Sequence, residues 1–379
     1  MWPDRIAVSA LFFINGLLVG SWAPKIPALM ARLEISEGVA GLLVLMLGAG
    51  SLCVMPVFGA MVARRGSARA TRVAAWALAT TLIWISVAPE VLTVAVAVFV
   101  FGGLLGGMDV AMNANAVAVE RGRGRAIMSS CHGFWSLGAF AGAGAGGLMI
   151  QNFGEVFHAL VVSGTFGLVL LWARGRLLED GPAPGAEPPP VRLPRTALPY
   201  LIGLMALTAM IPEGAILDWA AVYLQRELGA SLAVAGWGFA ACAGTMAVMR
   251  FLGDALRKRL GAVRTLRLST VLAMAGLALA GLAEAPGPAI AGFALAGVGI
   301  ANMVPIAFSA AGNVPGLAAG MGLSVVTMMG YSGILVAPGA IGWVAEQVSF
   351  TTIYLALALL LVVPLALSPL ARSADFKSV

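Results

Sequence analysis

Apolar residues in this chain come in long runs, separated by short polar and basic breaks. A helix that crosses a bilayer needs about 20 mostly apolar residues. The runs predict about twelve such helices, at approximately 5–27, 38–62, 71–88, 91–117, 126–149, 155–173, 197–223, 232–254, 266–283, 288–310, 317–343 and 351–370. The pattern predicts an all-α membrane protein, because lipid cannot satisfy the backbone polar groups of an open sheet or loop. Many runs are rich in glycine, including Gly102, Gly103, Gly106 and Gly107 in the fourth and Gly138, Gly142, Gly144, Gly146 and Gly147 in the fifth. Small residues let membrane helices approach closely.

Composition agrees with the pattern. The 379 residues are 60% hydrophobic and only 11% charged, whereas soluble domains carry about 25% charged residues. The net charge of +6 suggests nucleic acid only until the charges are placed. Twenty Lys and Arg lie in one set of loops, helix ends and tails, against Lys25, Arg32 and Arg226 in the alternate set. That asymmetry puts both termini in the cytoplasm and accounts for the charge without nucleic acid. The apolar N-terminal run reads as a retained helix rather than a removable signal. Cys53, Cys131 and Cys242 have no metal spacing and read as small core residues.

The longest polar stretch, 174–197, contains a Pro-rich segment and reads as a cytoplasmic linker. It divides the chain into an N-terminal six-helix half, 1–173, and a C-terminal six-helix half, 198–379. The halves repeat weakly. A shift of 195 residues aligns Gly138 with Gly333, Gly144 with Gly339 and Gly147 with Gly342. A shift of 197 aligns Trp22-Ala23 with Trp219-Ala220.

Charges stranded inside apolar runs carry the candidate chemistry. A carboxylate at membrane depth costs several kcal/mol unless it is paired, hydrated or protonated, so it marks a functional site by default. Asp109, Asn113 and Glu120 share one face of the fourth span, Asn113 about 40° and Glu120 about 20° from Asp109. Asp109 is the candidate for transport or proton coupling, with a buried contact to a neighbouring helix as the alternative. Glu120 reads as a structural or gating partner of loop arginines such as Arg64 or Arg125. In the fifth span His132, Trp135 and Ser136 share a face, and His132 is a possible proton relay. His158 reads as interfacial. In the seventh span Pro212, Glu213 and Gly214 permit a kink or an unwound turn near midplane. Glu213 is the stronger site candidate there. Asp218, five residues on and about 140° around the helix, cannot face the same cavity equally and reads as an external gate or helix contact, with Trp219 as an interface anchor. Asn15, Asn302 and Tyr331 form interhelical hydrogen bonds by default; with Trp22 and Trp135 they could line a cavity that recognises hydroxyls.

The loop after the second span carries Gly59, Arg64 and Gly66. It resembles the signature loop of the major facilitator superfamily, except that Ala63 stands at the acid position. In that family the acid helps latch the two halves, so the latch here is weakened or built differently. The mirrored loop keeps Arg250 and Asp254, which can pair at i,i+4, beside Arg257, Lys258 and Arg259. Four further segments are similar to the MosC-like (YbjJ-like) branch of that superfamily: Asp109 to Arg121, His132 to Gly138, Glu213 to Trp219 and Arg250 to Asp254. The resemblance covers essentially all spans. It implies the major facilitator fold, with spans one, four, seven and ten lining the cavity, and transport, without naming the substrate.

No Walker-type loop appears, nor any metal or nucleophile constellation, so no enzyme, cofactor or metal is expected. The reading is a monomeric secondary transporter of a bacterial inner membrane that works by alternating access. Proton coupling through Asp109 and Glu213 fits, since a carboxylate in low dielectric can alternate between neutral and charged forms as its cavity hydrates. With no Lys or Arg read near midplane and Arg250 read as close to the cytoplasmic end, the expected solute is neutral and polar, a sugar or polyol. The alternatives are proton-driven efflux of amphipathic or cationic compounds and a non-transporting scaffold or sensor. The expected solute contacts are Asn15, Trp22, Asn113, Trp135, Ser136, Asp218, Asn302 and Tyr331; the expected gates are Arg64, Glu120, Arg125, Arg250 and Asp254.

Overall fold

The computed structural model describes residues 3–123, 127–180, 195–312, 314 and 321–374. Among the described residues, eleven helical segments are long and apolar enough to cross a membrane. One of them, within the 46-residue helix Met128–Ala173, is two crossings. At 1.5 Å per residue a straight helix of that length would run about 69 Å, more than twice the roughly 30 Å hydrocarbon core. Gly154 breaks it with φ 82° and ψ 166°, outside the helical region. A side chain is strained at that φ, so the reversal between crossings falls on glycine.

The twelve spans so defined are span one (Pro3–Leu33), two (Glu37–Val62), three (Ser67–Val87), four (Val91–Val119), five (128–153), six (155–173), seven (Leu198–Arg226), eight (Leu232–Gly253, continuing helically to Leu260), nine (Ala262–Gly281), ten (Pro286–Ala311), eleven (Met321–Ala345) and twelve (Phe350–Ala374). Large apolar side chains such as Leu92, Leu168, Trp343 and Leu359 are exposed on the outer surface. That exposure is costly in water and favourable in lipid.

Spans one and five are tightly packed. A Cβ on Gly16 would come within 1.9 Å of the Trp135 carbonyl oxygen, and one on Gly138 within 1.9 Å of the Phe13 carbonyl oxygen. Spans two and four, and nine and ten, pack in the same intimate way, while spans two with eleven and five with eight join the halves. Gly66 (φ 81°, ψ 158°) and Gly261 (φ 78°, ψ 160°) open spans three and nine with the same backbone conformation.

Asp4 pairs with Arg123, and Arg72 bonds the Arg174 carbonyl and Glu179, so the starts of spans one and three meet the ends of spans four and six at one end of the bundle, called here the linker end. Near the glycine at 66, Asp180 accepts hydrogen bonds from the Ser67 and Ala68 N–H groups at 2.7 and 3.2 Å. The acid that touches this loop therefore comes from the start of the linker, not from position 63.

Four readings of local detail change. Span eight extends through Arg257, Lys258 and Arg259 to Leu260; the basic run is its last turns rather than a loop. Span seven is helical throughout Leu198–Arg226, across Pro212 and Gly214, with no unwound turn. Trp219 is fully buried and donates to the Pro338 carbonyl at 2.8 Å, so it packs on span eleven rather than anchoring an interface. Cys53 is exposed, unlike Cys131 and Cys242.

Two residues of the far end, opposite the linker, are also not where the loop pattern put them. Lys25 is fully buried, donates to Ser86 Oγ at 2.6 Å and to the Glu155 carbonyl at 3.2 Å, and lies 3.8 Å from the Glu155 carboxylate. His158 is fully buried instead of interfacial. Both sit inside the N-terminal half because span one turns after Trp22 and continues as the helix Lys25–Leu33.

Candidate functional site: a cavity between the halves

Spans from both halves enclose a cavity of about 440 Å³. Spans one, four, seven and ten contribute Asn15, Asp109, Glu213 and Asn302, and spans five, eight and eleven contribute Trp135, Arg250 and Tyr331. Trp22, His132 and Asp218 also line it. Asn113 and Ser136 stand behind the wall and touch residues that form it.

Asp109 accepts from the Tyr331 hydroxyl at 3.1 Å, a bond from span eleven to span four that crosses between the halves. Asn113, one turn on, donates to the Asp109 side chain at 3.1 Å and to its backbone carbonyl at 2.9 Å. This carboxylate is thus held by neutral donors.

Glu213 is held differently. Arg250 reaches it at 3.4 Å, donates to Ser136 Oγ at 2.5 Å, and lies over the Trp135 ring with its guanidinium carbon 5.9 Å from the centroid. Aromatic faces attract cations electrostatically. The expectation of a cavity without a cation therefore fails. Arg250 lies ten residues before Leu260, about 15 Å from that helix end. Ending span eight at 254 is what put it at the surface. Arg250 consequently belongs to the cavity wall, where it meets Glu213, Ser136 and the Trp135 ring.

Trp135 links this pair to span one: its Nε1 donates to Asn15 Oδ1 at 2.9 Å. His132 meets Phe12 edge-on, with ring centroids 5.3 Å apart. Asn302 is 5% exposed, and its Oδ1 lies where a Cβ on Gly253 would come within 2.2 Å.

Asp218 lines the same cavity as Glu213 despite the rotation between them. The two acids sit at different depths on a helix whose broad arc faces the cavity. Trp22 donates to Asp218 at 3.0 Å, across the halves. Further ties across the halves lie beyond it toward the far end. Arg226 pairs with Glu37, Ser36 Oγ donates to Glu346, and Glu346 also accepts from the Gly38 N–H at 3.0 Å. The Ala233 N–H donates to Gln151 at 3.0 Å. In the other direction the cavity wall follows span eight through Gly253 to Arg257. These ties join the halves toward the far end, and the cavity wall extends toward the linker end.

Arg64 is exposed at the linker end. Arg125 and the side chains of Glu120 and Asp254 lie outside the described residues. Among the described residues no group of His, Cys, Asp and Glu could hold a metal ion. Sequence reasoning missed Ser51 and Phe101 as wall residues; Ser51, a lone hydroxyl inside an apolar run, was a usable signal.

An uncharacterized MFS-type transporter of Yersinia pestis is 34% identical to this chain over 358 residues, covering 94% of this chain and 93% of the relative. The chain belongs to the major facilitator superfamily. The superfamily's sequence model matches residues 202–375. Membrane protein MosC of Rhizobium meliloti is 31% identical over 342 residues, 90% of this chain and 84% of MosC, which supports the MosC-like branch. The solved fucose:proton symporter of E. coli superposes with a TM-score of 0.67 at 17% identity, covering 98% of each chain. Within the superfamily this molecule is a multi-pass membrane carrier of small molecules, not an enzyme.

Proposed function

We propose that this carrier is a proton-coupled secondary transporter of a small, neutral, polar solute, with Asp109 as the proton-carrying group. The observation that carries the reading is the Asp109–Tyr331 hydrogen bond, which joins a cavity carboxylate of one half to the other half. Protonating that carboxylate changes what it can accept, so proton binding acts on a contact between the two bodies that must move. Proton coupling in the structurally similar fucose symporter is consistent with this.

The excess of Lys and Arg at the linker end supports a cytoplasmic position for that end in a bacterial inner membrane, with both termini inside. The far end, where the ties between the halves lie, is then periplasmic. Spans one, four, seven and ten supply the solute contacts, as alternating access between two halves requires.

Arg250 does not turn the site into an anion site. Its charge is already met by Glu213, and an anion entering the cavity would also face Asp109 and Asp218. A neutral solute meets no such opposition. Efflux of amphipathic cations is the second reading, favoured by the apolar walls of Val19, Leu47, Phe101 and Leu105 beside these acids.

Reconstituted protein should accumulate a neutral sugar or polyol in liposomes under an inward pH gradient, and Asp109→Asn should abolish accumulation. Undiminished pH-driven accumulation by Asp109→Asn defeats the assignment. Accumulation of cationic dyes but of no neutral solute selects the efflux reading instead.

A further inference from the structure

A second cavity, of about 400 Å³, lies between spans two and eleven, apart from the central one. Its walls include Leu42 and Leu45 of span two, Val336, Ala340 and Trp343 of span eleven, and Glu346 just past the end of span eleven. Glycines shape it. A Cβ on Gly342 would come within 2.5 Å of the Gly41 Cα, so the two backbones touch there and larger side chains on either side wall a furrow. Leu42 is 60% exposed and Trp343 67%, which in a membrane-spanning body turns them toward lipid. Exposed tryptophans gather where hydrocarbon meets headgroups, and Trp343 stands three residues before Glu346. Leu45 is eight residues beyond Glu37, where span two begins, about 12 Å deeper. The furrow thus runs from headgroup level well into the hydrocarbon. Glu346 is exposed at its mouth. Its Oε1 accepts from Ser36 Oγ and from the Gly38 N–H at 3.0 Å. Both donors are neutral. The neighbouring acid Glu37 has Arg226, whereas among the described residues no Lys or Arg pairs with Glu346.

We infer that this furrow is a binding site for phosphatidylethanolamine, with one acyl chain along Leu42, Leu45 and Val336 and the headgroup ammonium on Glu346 Oε2. An unpaired carboxylate at the head of an apolar furrow matches a cation that carries an apolar tail. A primary ammonium has three donors, and hydrogen bonds between ionised partners are about twice as strong as neutral ones. The quaternary ammonium of phosphatidylcholine has charge but no donor, and the headgroup of phosphatidylglycerol has no cation. The site does not depend on what the carrier moves. It does bear on how the halves meet, because Glu346 belongs to the C-terminal half and its Ser36 and Gly38 donors to the N-terminal half. A lipid bound there favours the arrangement in which that tie is made, and only a differential affinity of this kind shifts such an equilibrium.

The test is native mass spectrometry of the full chain, stripped of lipid in detergent and titrated with phosphatidylethanolamine, phosphatidylcholine and phosphatidylglycerol of identical acyl chains. Phosphatidylethanolamine should bind about ten-fold tighter than the other two, the equivalent of one charge-assisted hydrogen bond. Glu346→Gln keeps an amide oxygen for Ser36 and Gly38, so its lipid-free melting temperature should be nearly unchanged while its affinity for phosphatidylethanolamine falls to that for phosphatidylcholine. Glu37→Gln, at the same rim, should keep the preference. Ala340→Leu, which fills the furrow, should weaken phosphatidylethanolamine and phosphatidylcholine alike. Equal binding of those two lipids by wild type overturns the inference, since the furrow then holds bulk lipid without reading its headgroup. A preference for phosphatidylglycerol overturns it as well. So does a preference that survives in Glu346→Gln or is lost in Glu37→Gln. Should Glu346→Gln fail to fold, Ala340→Leu still decides: undiminished binding of phosphatidylethanolamine by that variant removes the furrow as the site.

Discussion

Asp109 and Glu213 both line the cavity, one on a helix of each half, yet they are held in opposite ways. Asp109 is bonded by Tyr331 and Asn113, both neutral. Glu213 faces Arg250, which is also tied to Ser136 and Trp135. A proton arriving at Asp109 removes a charge that has no cation among these contacts. A proton arriving at Glu213 strands a guanidinium in a low-dielectric site, and uncompensated buried charges are expensive. The two acids are therefore not interchangeable: the one held by neutral groups suits proton exchange, and the ion-paired one suits a fixed structural charge.

The largest expected effect breaks this comparison directly. Asp109→Asn should reduce pH-driven accumulation in proteoliposomes to the equilibrium level, with counterflow exchange retained. Its thermal stability should change by no more than about 1 kcal/mol, since the amide oxygen still accepts a neutral hydrogen bond. Equal loss of exchange and accumulation would show that Asp109 serves the fold or the solute rather than the proton.

Next in size is Glu213→Gln, which leaves Arg250 without its carboxylate. Breaking one side of a buried pair costs about 3–5 kcal/mol, visible as a lowered melting temperature in detergent. Replacing Arg250 with Gln as well should restore most of that stability, because the stranded charge is gone. If Glu213→Gln is as stable as Asp109→Asn, the two acids are energetically alike and the asymmetry is false.

Tyr331→Phe should come third. It removes one donor to Asp109 and nothing else, a net change of about 1 kcal/mol, and should weaken the proton dependence of uptake several-fold without abolishing it. No change in that dependence would separate the cross-half bond from coupling.

How far this asymmetry was legible in sequence follows from what each contact depends on. The spans were legible because lipid demands long apolar runs, and the paired crossing within Met128–Ala173 was legible as two runs on either side of Gly154. Asp109 and Glu213 were conspicuous as acids within such runs. Their partners were not. Tyr331 meets Asp109 across 222 residues of chain, and that distance depends on how two bodies dock. Arg250 was misplaced for a simpler reason. The basic cluster at Arg257, Lys258 and Arg259 looked like a loop, although it forms helical turns, and shortening the helix moved Arg250 toward the surface. Lys25 and His158 followed the same rule in reverse. A loop pattern cannot reveal that the helix from Lys25 to Leu33 folds a lysine into the N-terminal half.

The smallest expected effect is the sharpest check on which acid carries the proton. Asp218 is the third carboxylate of the cavity, and Trp22 donates to it from the other half. An amide oxygen still accepts that indole hydrogen, more weakly than an ionised carboxylate would. Asp218→Asn should therefore leave that tie across the halves nearly intact and accumulation within about two-fold of wild type, a change under 1 kcal/mol. Trp22→Phe, which deletes the donor, should instead raise labelling of a cysteine placed in the cavity by a membrane-impermeant reagent from the far side. If Asp218→Asn abolishes pH-driven accumulation while Trp22→Phe leaves it intact, the charge at Asp218 matters apart from the gate. The carrier then sits toward the far end of the cavity, and Asp109 loses the role that its neutral surroundings suggest.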